Sequence, residues 1–444
     1  MKKLLLICLI TLFAAAANLM ALDKSLDLTI EDYVKLVDKN SKQLMVAAKE
    51  LEIANATEKA ARAQALPMIG AEAGYKRNLL DIKMPMAVAA PAGGGALIYQ
   101  DIDVNKDNEF TFGLSLNQQI FNLKVFNAIK ASRQYKLMSG YIYDAQRQAI
   151  ITIAKKVYYQ NYLLEKLLVV RKNLESNTYE NYLNARNKFK SGIISEFDFL
   201  RAEVEWKTKI PETLQAQRNL DLARINLKNL AGIDEKAEIT LKTVLNEYPD
   251  MPKLIPISDV FAERPDYKAT VAEVSLREIN LSAAISDHFP TLRGNILFAI
   301  SSASDQFALD NKTKIAQVGV TVSLPVFTGG ALLAQDKKAR SEYEQSEIRL
   351  QQLREDIAAN INSIYLTLKE AQQRIISAEA TVETAKKAYE IAQTSYRAGV
   401  ATQLDLKDAT TSYELSNINF ISSVYEYLAA YFDWEQAIGK VIVK

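Results

Sequence analysis

Phe189-Lys190-Ser191-Gly192-Ile193-Ile194-Ser195-Glu196-Phe197-Asp198-Phe199-Leu200-Arg201-Ala202 returns in the second half of the chain, without a gap, as Tyr396-Arg397-Ala398-Gly399-Val400-Ala401-Thr402-Gln403-Leu404-Asp405-Leu406-Lys407-Asp408-Ala409. Each copy spells a tight turn between two helices. Gly192 and Gly399 can take the left-handed conformation that closes a helix, and Ser195 and Thr402 then offer an N-cap oxygen to the next one. Asp198 and Asp405 stand three residues past those caps, where a carboxylate is favoured by the helix dipole. Capping accounts for these acids one by one; their repetition asks for more. The match continues to Leu230-Ala231-Gly232 and Ala437-Ile438-Gly439, so each half of the chain reads as one structural repeat.

Working outward, 15 Gly and 10 Pro in 444 residues leave few turns, which means long elements. Met1-Lys2-Lys3, an apolar run from Leu4 to Ala17 and a small residue at Ala21 have the form of an export signal, expected to be removed near Ala21. The run is too short to span a bilayer, and no later stretch is long and apolar enough to do so as a helix. The signal holds the only cysteine, Cys8, so the mature chain is expected to carry no disulfide, no thiolate metal site and no lipid anchor. With 54 basic and 53 acidic residues the surface is not that of a nucleic-acid binder. The reading divides the chain into a signal at 1–21, a first repeat at 22–232, an irregular connector at 233–258 and a second repeat at 259–444.

Within the first repeat, Thr29 caps a helical stretch that runs to Leu66-Pro67. Met68 to Arg77 then fits a strand. The clearest strand is Glu109 to Phe121, with Phe110, Phe112, Leu114 and Leu116 on one face and Thr111, Gly113, Ser115 and Asn117 on the other. The intervening stretch, with Pro85, Pro91 and Gly93-Gly94-Gly95, is too long for a hairpin turn and reads as a surface loop or disorder. From Leu123 to Lys188, Ala131, Tyr135, Met138, Ile142, Ala145, Ala149 and Thr152 form a coiled-coil seam on a helix about 100 Å long. The returning helix contains Pro211, where a kink or break is expected.

The second repeat replays this order. Arg264-Pro265-Asp266 starts a helix that ends at Phe289-Pro290. Leu292, Ile296, Phe298 and Ile300 share one strand face, as do Val318, Val320, Val322 and Leu324. A second long helix runs to Tyr396, with a stutter between Ile357 and Ile361.

Four strands with one apolar and one polar face, in an exported chain, suit an outer-membrane barrel with a wet lumen. Four strands cannot close one, and open edges are not tolerated in lipid, so several copies must combine. The long helices would continue such a barrel as a tube.

The chain resembles the TolC-type outer-membrane efflux proteins across essentially its whole mature length. The two tips carry the resemblance, with Arg264-Pro265-Asp266, Leu324-Pro325-Val326-Phe327-Thr328-Gly329-Gly330 and Lys209-Ile210-Pro211-Glu212. The resemblance implies a mainly α fold with a small β part: a homotrimer with a twelve-stranded β-barrel in the outer membrane and a long periplasmic α-barrel. Its tips would meet a periplasmic adaptor and an inner-membrane pump. It implies export without catalysis or cofactor. By the same resemblance Asp405 and Asp408 form the pore constriction, Asp198 and Tyr396 link the closed state, and Gly192, Ser195, Gly399 and Thr402 lie on the adaptor-docking tips. Phe110, Phe112, Leu114, Leu116, Val318, Val320 and Val322 would face lipid. The chain departs from the pattern at Ala401, where a family member carries an arginine that helps hold the pore shut.

A secreted coiled-coil rod would explain the heptads but give the amphipathic strands no purpose. An enzyme is weaker still: His288 is the only histidine and sits at a helix end, and no nucleophile, base and orienting group recur together. The Tyr427, Tyr431, Trp434 series reads as packing.

Overall fold

The computed structural model describes residues 26–89, 97–242 and 248–441. The expected signal, Pro91 and Gly93-Gly94-Gly95 lie outside them. In chain order the elements are β1 (Leu26–Leu28), α1 (Ile30–Asn40), α2 (Lys42–Ala63), β2 (Met68–Arg77), β3 (Lys83–Ala89), β4 (Leu97–Asp103), β5 (Asn108–Phe121), α3 (Leu123–Lys190), α4 (Glu196–Ala231), β6 (Ile239–Leu241), α5 (Ile257–Glu263), α6 (Pro265–Ile285), β7 (Thr291–Ser304), β8 (Lys312–Ser323), α7 (Ala331–Arg397) and α8 (Gln403–Ala437). They gather into two compact units. One takes residues up to 51, 139–270 and from 349 onward; the other takes 52–138 and 271–348.

The first unit is mainly helical, and two large apolar cores lie in it, with a smaller one at Leu168, Ala216 and Leu220. In one, Tyr33, Val34 and Val37 of α1 pack on Ile151, Ala154 and Tyr158 of α3 and Leu227 of α4. The buried Tyr33 hydroxyl donates to the Leu227 carbonyl at 3.0 Å, which satisfies a polar group that would otherwise be costly inside. In the other, Ile357, Ile361, Leu368 and Ile375 of α7 meet Val424, Tyr427 and Trp434 of α8. Both residues flanking the stutter are therefore core residues, and the aromatic series on α8 is packing, as its spacing predicts. On α3 the seam is half-buried from Ala131 to Ala149 except at Ile142, which is exposed. Ile150, Ile151, Ala154 and Tyr158 of α3 are instead buried.

The second unit holds a four-stranded antiparallel sheet in the order β2-β5-β7-β8. Its register puts Ala73, Phe112 and Ile300 in one row, and Ile69, Leu116, Ile296 and Val318 in another, all with the parity of the apolar face. Val318, Val320 and Val322 are exposed in the single chain, and so are Phe112 and Leu114. On the opposite face glycines make room for polar side chains. A Cβ at Gly74 would come 2.8 Å from Thr111 Oγ1, and one at Gly319 would come 2.8 Å from Asn295 Oδ1. His288 closes the turn after α6 and bonds Asp336 at 2.7 Å.

Four expectations need correction. The helix expected from 28 to 66 is two helices, broken at Ser41, whose backbone is extended and whose N–H caps Val37. The long stretch between the first two strands is not structureless, because β3 and β4 pair there. Pro211 does not break α4, which runs on through it; the Thr213 hydroxyl bonds the Lys209 carbonyl, and flanking ion pairs hold the chain on both sides. The connector carries β6, which pairs in parallel with β1.

Candidate functional site

Both tips have the local geometry that their residues call for. Gly192 and Gly399 sit at φ +71° and +76°, where a side chain would strain the backbone. At each, chain-reversing bonds end the helix: the Ile193 N–H reaches the Lys188 carbonyl, and the Val400 N–H reaches the Ser395 carbonyl, both at 2.9 Å. Ser195 then caps α4, its oxygen accepting from the Asp198 N–H. Thr402 caps α8 in a full capping box: its hydroxyl and its backbone N–H both donate to Asp405 Oδ2, at 2.6 and 2.8 Å. Those bonds hold the Asp405 pKa below the usual carboxylate range. Replacing Thr402 by alanine should cost about 1 kcal/mol of helix stability, measurable by thermal unfolding.

Asp405 and Asp408 lie three apart on the exposed side of α8. Gln403, Leu406, Thr410 and Glu414 form the buried stripe opposite. The two acids thus share one face, turned away from the chain's own packing.

Asp198 and Tyr396 are near each other but share no hydrogen bond among the described residues. The Asp198 carboxylate is taken by the Ser195 hydroxyl at 2.7 Å. Burial pushes the Tyr396 hydroxyl pKa up, and the Asp198 charge adds to the rise. What does bridge α3 and α7 at this level is Lys188. Its ammonium lies 4.5 Å from the centre of the Tyr396 ring and 3.4 Å from the Tyr396 carbonyl oxygen. Ala401, next to the cap, offers no polar group.

Further along the helices stands a cluster of which only Lys209 and Glu212 belong to a motif visible in the sequence. Arg171 of α3 bonds Glu212 of α4 at 2.6 Å and also pairs with Glu414 of α8. Lys209 reaches Glu414 at 2.9 Å and Glu212 at 3.4 Å. The Glu414 side chain is only 4% exposed, and these two cations face it. Burial opposes ionisation of Glu212, yet Arg171 and Lys209 hold its pKa below the usual value. Lys209-Ile210-Pro211-Glu212 was visible as a motif; its partners on other helices were not.

The sequence profile of the outer membrane efflux protein family matches residues 34–233 and 257–440, nearly the whole of both halves. The chain belongs to that family. Among curated relatives, outer membrane protein TolC of Escherichia coli is 22% identical over 77% of this chain and 71% of TolC. Alkaline protease secretion protein AprF of Pseudomonas aeruginosa is 21% identical over 72% of this chain and 67% of its own. The CmeC outer membrane channel of Campylobacter jejuni superposes with a TM-score of 0.79 at 21% identity, covering 93% of this chain and 85% of CmeC. This member of the outer membrane efflux protein family is therefore an outer-membrane protein of the channel fold, and its relatives are channels and secretion proteins rather than enzymes. Among the described residues no helix is long and apolar enough to cross a membrane.

Proposed function

We propose that three copies of this chain close a twelve-stranded barrel in the outer membrane and form the exit duct of an efflux pump. The duct serves small toxic compounds delivered by a periplasmic adaptor and an inner-membrane pump. The open edges of β2 and β8 support the assembly, since each leaves a row of unpaired backbone groups that another copy can pair. The observation that carries the function is the exposed pair Asp405 and Asp408, beside a capped turn and opposite the buried stripe of α8. In a trimer these become two stacked rings of carboxylates, which favour cations and can be bridged by multivalent ones. The tips at Gly192, Ser195, Gly399 and Thr402 are where the adaptor docks. A second reading, protein secretion, is favoured by the likeness to AprF, whose name states that role; the substrate carried by the purified assembly separates the two.

The test is the Asp405→Ala, Asp408→Ala double variant in planar bilayers. Cation selectivity and block by trivalent cations should both disappear; if both survive, the rings are elsewhere. Acidification gives a finer check. Because the Asp405 pKa is depressed, its charge is complete above the ordinary Asp value, about 3.9, and is lost only as pH falls through the lower one. In an Asp408→Ala background, the loss of selectivity on acidification should therefore report the titration of Asp405. Adding Thr402→Val should move its loss to higher pH.

The closed state rests here on Lys188 against Tyr396 and on the neighbourhood of Asp198, with no donor at Ala401. Lys188→Ala, which removes the contact with Tyr396, should raise single-channel conductance, and Ala401→Arg should lower it. No change from either substitution would mean that these positions do not gate the pore.

A further inference from the structure

Between β2 and β5 the chain builds a second hairpin whose two faces differ sharply. Lys83 to Ala89 pairs with Leu97 to Asp103 in antiparallel register. The Val104 N–H bonds the Ile82 carbonyl at 2.9 Å, which extends that register by one row. One face then reads Ile82 with Val104, Met84 with Ile102, Met86 with Gln100, and Val88 with Ile98. The other carries Lys83 with Asp103, Pro85 with Asp101, Ala87 with Tyr99, and Ala89 with Leu97, so it is charged at its base and apolar only toward the tip. Apart from Val88, which is half-buried, the apolar side chains of the first face are exposed. At its root, Leu79 and Leu80 are 86% and 83% exposed. A two-stranded hairpin with an uncovered apolar face is marginal in water, so another surface must cover it.

The residues below the hairpin argue against lipid as that cover. β2 is ten residues long, enough for one tilted membrane strand. At its end the ion pairs Lys76–Glu109 and Lys106–Asp305 form a charged belt, and just below it Lys312 and Lys314 interrupt the apolar face of β8 in the rows of Phe110 and Phe112. The hairpin begins beyond that belt, on the water side. Its root is fixed: the Asn78 amide donates to the Lys106 carbonyl and to Glu109 Oε1, both at 2.7 Å, and Asn105 bonds the backbone of Leu80 and Ile82. It also continues β2, the edge strand that meets the next copy in the trimer reading.

We propose that the Ile82, Met84, Met86, Ile98, Ile102 and Val104 face is covered by other copies of this chain. Hairpins from the three copies lean over the outer mouth of the barrel and pack their apolar faces on one another. This rests on the trimer proposed above. Reach permits it. A twelve-stranded barrel with strands about 4.8 Å apart and tilted about 40° has a radius of about 12 Å. Seven residues per strand make the hairpin about 23 Å long. Hairpins standing straight up on that rim would be too far apart to touch, so covering the face requires convergence. Methionine at two central positions suits a contact among three identical surfaces, because its side chain adapts to irregular gaps.

The experiment uses a Cys8→Ser background, which removes the only cysteine. Met86→Cys and Tyr99→Cys chains are oxidised in native membranes, and the mass of the detergent-solubilised assembly is measured separately. A trimeric mass, with Met86→Cys giving at least five-fold more linked chain pairs than Tyr99→Cys, is the expected result. A trimeric mass with no linkage at Met86→Cys, or with equal linkage at both sites, overturns the hairpin proposal and leaves the trimer standing. A monomeric mass overturns both. A spin label on Met86→Cys that is relaxed by lipid-dissolved oxygen, and not by a second label, would show a lipid surface there and also overturn it.

Discussion

Replacing Glu414 by alanine should destabilise the helical unit by about 3 kcal/mol, the low end of the cost of breaking a buried ion pair. Arg171 and Lys209 would lose the carboxylate that both of them reach, and each would keep only Glu212. Two cations on one partly exposed acid is a poorer arrangement than the present two on two, which sets the sign. The remaining contact with Glu212 keeps the cost below the upper end of the range. Glu414→Gln, which retains a hydrogen-bond acceptor but not the charge, should cost less. Thermal unfolding of the detergent-solubilised protein, followed by helical circular dichroism, reads both. Because the cluster ties α3 and α4 to α8, the alanine variant should also raise conductance by loosening one helix pair from the other. A Glu414→Ala protein with unchanged unfolding would mean that water already screens the cluster.

Leu114→Arg should cost about 2–4 kcal/mol if it lies near the bilayer midplane, whereas Ser115→Arg, one residue on, should be tolerated. The contrast follows from the pleat alone: neighbours in β5 point to opposite faces. Leu114 stands in register with Ala71 and Phe298, and Ser115 with Gly70 and Leu297. The polar face is not uniformly open, however. A Cβ at Gly70 would already lie 3.3 Å from Ser115 Oγ, so an arginine there must extend outward from the sheet. Assembly yield in native membranes, compared between the two variants, is the measurement. Equal losses at both positions would remove the distinction between a lipid face and a lumen face.

The tips and strands were legible in the sequence because local chemistry decides them. Gly192 and Gly399 need a left-handed backbone, Ser195 and Thr402 cap the next turn, and the alternation in β5 and β8 is a period of two that no helix reproduces. What depends on distant partners was not legible. Arg171 and Glu414 are 243 positions apart, and nothing in either neighbourhood announces the other. Pro211 reads locally as a helix breaker, yet α4 runs on through it, with Lys209 and Glu212 on either side held by Glu414 and Arg171 of other helices. β6 exists because β1 lies beside it. The β3–β4 hairpin was hidden by its composition: prolines and glycines suggest a loop, while the pairing of Met84 with Ile102 appears only once the register is known.

The proposed assembly of this chain into a cation-selective channel of the outer membrane can be read directly. Its most direct test is the current carried by the purified wild-type protein in a planar bilayer. Discrete conductance steps that favour cations and are blocked by a trivalent cation are the expected result. Failure to insert, or steps that favour anions, would contradict it.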